Sequence, residues 1–151
     1  PNIKSHNYLN LVMADLEVRD RSSHAWAVLL DTRGYVSEGI GSNVFFVKNG
    51  EILTPNAGFV LPGVSRAVVL ELAAGEGIRV HETDIPPEQA RDADEAFITS
   101  TSFCICPVRS YDGVSLDGDG IPGPVTRRLS DAFSSEAGFD FVGQYIEALK
   151  G

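Results

Sequence analysis

Asn43-Val44-Phe45-Phe46-Val47-Lys48-Asn49-Gly50-Glu51-Ile52-Leu53-Thr54-Pro55 is the stretch from which the architecture can be worked out. Two apolar runs of strand length, residues 43–48 and 51–54, flank Asn49-Gly50. That dipeptide accepts the left-handed backbone of a tight two-residue turn, which makes it the strongest short hairpin signal a sequence offers. Pro55 has no backbone donor and ends the ribbon.

Working outward, residues 7–21 place Leu9, Val12, Met13 and Leu16 at helical spacing before the polar Arg19-Asp20-Arg21-Ser22-Ser23. Residues 25–30 form an apolar run closed by the turn Asp31-Thr32-Arg33-Gly34. On the other side, Leu61-Pro62-Gly63 leads into a helix through Val68, Val69, Leu70, Leu72 and Ala73, stopped by Gly75-Glu76-Gly77. A strand over 78–82 and a short helix starting at Pro86-Pro87 follow. Residues 95–99 and 104–109 read as two strands around Ser100-Thr101-Ser102, and residues 124–150 as a helical tail interrupted near Gly138. With no repeat and no internal linker, this is one α+β domain of mixed, largely antiparallel sheets with packed helices.

Length and composition agree. A chain of 151 residues with 43% hydrophobic content builds its own core without staples. Cys104 and Cys106, one residue apart on a strand, would point the same way and form no normal bridge. A reducing, cytoplasmic setting is the expectation. No apolar stretch approaches the roughly 20 residues that span a bilayer. A net charge of −9 without a basic stripe excludes nucleic acid as a partner. No His, Cys and carboxylate residues have metal-ligand spacing. His24 and His81 read as surface residues, and His6 either tunes nearby Lys4 or simply starts a helix. The chain opens at Pro1 with no initiator Met, so it reads as a fragment or a processed piece.

Chemistry-bearing residues gather in four places. Lys4 precedes a helix, where it is either a solvated charge or an amine with a task. Glu38 lies in Val36-Ser37-Glu38-Gly39-Ile40-Gly41-Ser42-Asn43, a glycine-rich turn that also serves simply to join two strands. Leu61-Pro62-Gly63-Val64-Ser65-Arg66 opens onto a helix whose unpaired N–H groups and dipole suit a phosphate; an ordinary N-cap by Ser65 is the other use of that pattern. Thr99-Ser100-Thr101-Ser102 either grips an anion or closes a turn.

Taken in order, these places resemble the class IV aminotransferases, the fold-type IV pyridoxal-phosphate enzymes. That group includes branched-chain, D-amino-acid and (R)-amine transaminases. The matching residues run from Lys4 to about Thr126: Lys4 with Asn7-Tyr8, Leu29-Leu30-Asp31, Gly34, Glu38-Gly39 with Asn43, Thr54-Pro55, and Leu61 with Gly63 to Arg66. They continue through Ala93-Asp94-Glu95, Phe97, the 99–102 turn, Pro107-Val108, Asp112-Gly113 and Gly123-Pro124.

The resemblance implies a D-amino-acid-aminotransferase-like large domain, residues 1–151 being the C-terminal, cofactor-binding half of a two-domain enzyme. A smaller N-terminal domain is then absent, and a homodimer is expected. It implies that Lys4 binds pyridoxal 5'-phosphate as a Schiff base and then acts as the proton-transferring base. Glu38 would pair with the pyridine nitrogen, and Leu61 would cover the ring face. Val64 and Ser65 would hold the phosphate with Thr101, Gly63 and Ser100 would belong to the same cofactor-binding set, with Ser100 also turned to the substrate carboxylate, and Tyr8 would bond the phenolic oxygen. Ser102 and Arg109 would meet the substrate carboxylate.

The implied partners are a small-molecule amino donor and a 2-oxo acid. A lyase similar to aminodeoxychorismate lyase, releasing pyruvate, and a non-catalytic domain of the same fold are the alternatives. Two stretches depart from the family pattern. Thr99-Ser100-Thr101-Ser102 replaces one containing glycine and alanine and is followed by bulky Phe103; Ser22-Ser23-His24-Ala25-Trp26 replaces a glycine-acid-acid approach.

Overall fold

The computed structural model describes residues 7–22 and 24–150. Strands β1 (Val28–Leu30), β2 (Val36–Gly39), β3 (Ser42–Lys48), β4 (Glu51–Pro55), β5 (Val80–Thr83), β6 (Glu95–Ser100) and β7 (Cys104–Val108) form one seven-stranded sheet. Its axis is β3. One edge of β3 pairs antiparallel with β6, from Asn43 opposite Thr99 to Val47 opposite Glu95. The other edge is shared: β2 takes the start, with Glu38 opposite Asn43, and β4 takes the end, with Lys48 opposite Glu51.

The hairpin forms where the sequence places it. Asn49 and Gly50 have φ of 52° and 76°, and the Asp94 carboxylate accepts the Asn49 amide at 2.7 Å. β4 and β5 pair in parallel, an exception to the antiparallel pattern. A parallel neighbour needs a crossover, and helix α2 (Val64–Gly75) supplies it.

Successive β3 residues alternate between two cores. Phe45 and Val47 pack with Phe97, Ile52, Val69, Ala73 and Leu129 under α2 and helix α4 (Pro124–Ala137). Val44 and Phe46 pack on the opposite face with Ala96, Ile98 and Ile85, beside helix α3 (Pro87–Arg91). A strand buried on both faces reads as an unbroken apolar run, which accounts for Val44-Phe45-Phe46-Val47. The Phe45 and Phe97 rings stack at 4.8 Å, and Tyr111 meets Phe46 edge-on at 5.2 Å. Tyr111 comes from a small hairpin, β8 (Ser110–Tyr111) with β9 (Val114–Ser115), turning at Asp112-Gly113.

The tail divides at left-handed Gly138 into α4 and α5 (Phe141–Ala148), as its sequence indicates. Other details differ from the sequence reading. The strand expected over 25–30 shortens to β1, whose pairing with β2 is irregular between Val28 and Leu30. Helix α1 (Leu9–Arg21) forms, yet none of its residues is buried, and Leu9, Val12, Met13 and Leu16 are exposed. Cys104 and Cys106 do not share a face. Cys104 has φ of 58°, which breaks the strand alternation, so it packs toward the α2 and α4 core while Cys106 packs toward the other. Both thiols are unpaired, and burial raises their pKa.

Candidate active site

Glu38 ends β2 and Asn43 begins β3, so the ladder sets them opposite each other. Both reach the main chain of Leu61. The Leu61 N–H donates to Glu38 Oε2 at 2.9 Å, and Asn43 Nδ2 donates to the Leu61 carbonyl at 3.0 Å. Two residues on, Gly63 is the N-cap of α2 and offers no side chain to cap it. The N–H groups of the first turn, which have no partner within the helix, and the positive end of the helix dipole lie here, beside the buried Ser65. Ser65 is not the N-cap that an ordinary helix start would have made of it.

From the other edge of β3, Thr99 stands opposite Asn43. Its Oγ1 is buried and has no hydrogen-bond partner among the described residues. Ser100 and Thr101 follow, and the Ser102 N–H donates to Ser100 Oγ at 3.1 Å.

These elements enclose a cavity of about 680 Å³. Glu38, Asn43, Leu61 and Thr99 form its sheet wall with the start of α2 and the Ser100-Thr101 turn, while Tyr8, Leu11 and Leu16 form the facing wall. The structure thus brings together Tyr8, Glu38, Leu61, Gly63, Val64, Ser65, Ser100 and Thr101 around one space. Tyr8 is part of that wall and, at 38% exposed, is no core tyrosine.

Ser102 lies outside the lining, and its amide is occupied by Ser100. Arg109 is not among the residues that line the cavity either. Cys104 pairs with Ser100 at the cavity end of β7, and Arg109 lies five positions further along, roughly 17 Å away at strand rise. Lys4 and His6 fall outside the described residues. Asn43 and Thr99 went unassigned in the sequence reading; a polar residue opening an apolar strand directly opposite a carboxylate was the available signal for Asn43.

A wider depression of about 840 Å³ beside α4 is lined by Glu76, Arg127, Arg128 and Asp131. Arg128 is paired with Glu76, and none of the predicted residues is there. Among the described residues no helix is long and apolar enough to cross a membrane, and no group of His, Cys, Asp and Glu could hold a metal ion.

A carboxylate, an aliphatic side chain and a helix start with glycine at its N-cap border one cavity, an arrangement that suits a small ligand carrying an anionic group. The comparisons with known proteins agree on the family. Residues 1–111 match the amino-transferase class IV family, and the chain belongs to it. It is 41% identical over 128 residues to the branched-chain-amino-acid aminotransferase of Escherichia coli K12, covering 84% of this chain and 41% of that relative. The corresponding Pseudomonas aeruginosa enzyme is 38% identical over 141 residues, covering 93% and 44%. The holo-form structure of the Thermobaculum terrenum branched-chain amino acid aminotransferase superposes with a TM-score of 0.85 at 36% identity, covering 93% of this chain and 47% of that one. The chain therefore spans less than half the length of these relatives.

Proposed function

We propose that this chain is the cofactor-binding domain of a pyridoxal-phosphate-dependent transaminase, which moves an amino group between an amino acid or primary amine and a 2-oxo acid. The observation that carries this is the convergence of Glu38, Leu61 and the glycine-led start of α2 on one cavity. The residues present suit the cofactor. Gly63 gives the helix start no capping side chain and leaves none in the way, and the buried Thr99 hydroxyl lacks a protein partner among the described residues.

Bound there, pyridoxal phosphate would supply an electron sink for negative charge at the substrate α-carbon. The amides of Val64 and Ser65, with the Ser65 and Thr101 hydroxyls, bind the phosphate. Glu38 holds a proton at the ring nitrogen, Leu61 covers one ring face and excludes water, and Tyr8 bonds the phenolic oxygen. Lys4 would hold the cofactor through its amine and would take and return the proton at the substrate α-carbon.

The branched-chain donors in the names of the relatives are the first substrates to try. A second domain and a homodimer complete the site in this reading, and two unpaired cysteines suit a reducing, cytoplasmic setting.

The test is the visible absorption spectrum of the intact protein with pyridoxal phosphate, beside Lys4→Ala, before and after an amino donor. The expected result is a visible band in the wild type alone that bleaches with donor. Identical spectra for both proteins would overturn the assignment of Lys4, and pyruvate release from aminodeoxychorismate without amino transfer would replace transamination by lyase chemistry.

A further inference from the structure

We propose that Asn43 is a positioning residue of this site, fixing the Leu61-Pro62-Gly63 turn on which the ring-covering side chain and the helix start both depend. The inference rests on the cofactor-site reading above and concerns a residue that reading leaves without a task.

Asn43 sits at a junction. Across one edge of β3 it faces Glu38, across the other Thr99, and all three line the cavity. It is buried, and a buried amide must find partners. Its Nδ2 bonds the Leu61 carbonyl at 3.0 Å, and the same carbonyl accepts the Gly63 N–H at 2.8 Å, closing a three-residue turn around Pro62. With the Leu61 N–H on Glu38, both polar groups of Leu61 are tied to one cross-strand pair. Displacing Asn43 frees the carbonyl side, so Leu61 and the first amides of α2 lose their fixed place relative to Glu38.

Gly63 is explained by the same contact. Its φ of −67° and ψ of 137° are open to any residue, so its backbone does not require glycine. A Cβ there, however, would lie 2.1 Å from Asn43 Oδ1 and 3.4 Å from Asn43 Cγ, with Arg66 Cβ next at an ordinary 3.5 Å. Glycine at 63 is room for the Asn43 amide.

The geometry makes a coupled prediction. In the intact protein, Asn43→Ala weakens pyridoxal phosphate binding by about tenfold, the scale of one buried hydrogen bond that orders a loop. Gly63→Ala weakens it comparably, because the added methyl drives the amide off Leu61. The double variant binds no worse than Asn43→Ala alone, since the methyl then enters vacated space. Asn43→Asp keeps the size but loses the donor, and it behaves like Asn43→Ala. The visible circular dichroism of the bound cofactor shifts in all four, and kcat falls more than KM rises. Additive losses in the double variant, or wild-type binding by Asn43→Asp, would overturn the proposal.

Amide hydrogen exchange at Leu61 without cofactor separates this from the functional reading. If the wild type binds no pyridoxal phosphate, that reading fails, while faster Leu61 exchange in Asn43→Ala still upholds the clamp and unchanged exchange removes it.

Discussion

Glu38 serves two ends with one carboxylate: it accepts the Leu61 N–H at 2.9 Å and borders the cavity. Glu38→Gln separates them, because glutamine keeps an acceptor oxygen for Leu61 and gives up the charge. Stability should change by less than about 1 kcal/mol, while kcat falls by about 10²-fold or more, the scale of removing one electrostatic group from a reaction centre. Cofactor titration and steady-state kinetics on the same preparation check this; equal losses in binding and rate would leave Glu38 only as a clamp. At this scale the sequence is legible in part. Tyr8, Glu38, Leu61 and Ser65 could be singled out because their order along the chain matches a family, and the fold sets them around one cavity. Asn43 matched too but had no role, because its task depends on which residues the ladder sets beside it. Position in a strand likewise does not tell which end of the sheet a side chain reaches, so the place of Arg109 outside the cavity lining was not legible.

The start of α4 shows what elements hide from linear reading. Glu95, buried on β6, accepts the amides of Val125 and Thr126, both at 2.9 Å, and so caps a helix some thirty positions downstream. Pro124 marks the helix start in the sequence, but Gly123 offers no capping side chain. A Cβ at Gly123 would meet the Glu95 carboxylate at 2.3–2.6 Å, so the glycine and the acid belong to one device. Glu95→Ala should lower unfolding free energy by about 2 kcal/mol, from two lost charge-assisted bonds offset by partial rehydration. Urea unfolding measures it; an unchanged midpoint would show that water caps α4 equally well. Most elements themselves were legible, because strand alternation and helical spacing are local. The hairpin β8–β9 was missed although Asp112-Gly113 is a proper turn signal, since its two-residue strands carry no pattern. Helix α1 shows the converse: spacing specified a helix, but its half-buried face is Leu11, Ala14, Asp15 and Val18, while Leu9, Val12, Met13 and Leu16 stay exposed.

Across the whole molecule, Arg33 joins segments that the chain keeps apart. It pairs with Asp31 at 2.7 Å after β1 and with Asp84 at 2.8 Å after β5, and its guanidinium stacks 3.7 Å from the Phe59 ring centroid. Phe59 ends the 3-10 turn Ala57–Phe59 ahead of Leu61, and its carbonyl accepts the Ser37 hydroxyl at 2.8 Å. One cation therefore braces the approach to the cavity from three sides, in a protein of net charge −9 where carboxylates otherwise repel. The Arg33 guanidinium and the Asn56 amide hold Asp84 below the ordinary carboxyl value of 3.8. Burial pushes Asp31 upward, but the Arg33 side chain and the Tyr35 and Arg33 amides outweigh it and leave its pKa lowered. A carboxyl with a depressed folded pKa contributes stability above its unfolded value and loses it as pH falls through the folded one. Arg33→Met keeps a long apolar stem over Phe59 and removes the charge. Its thermal midpoint should therefore lie below that of the wild type by a constant margin from about pH 5 to pH 8, with the gap closing below about pH 4 as both carboxyls protonate. Calorimetry of the two proteins across that range decides the matter: a gap that stays open in acid would assign the brace to guanidinium stacking on Phe59 and Tyr35, leaving the ion pairs with little share.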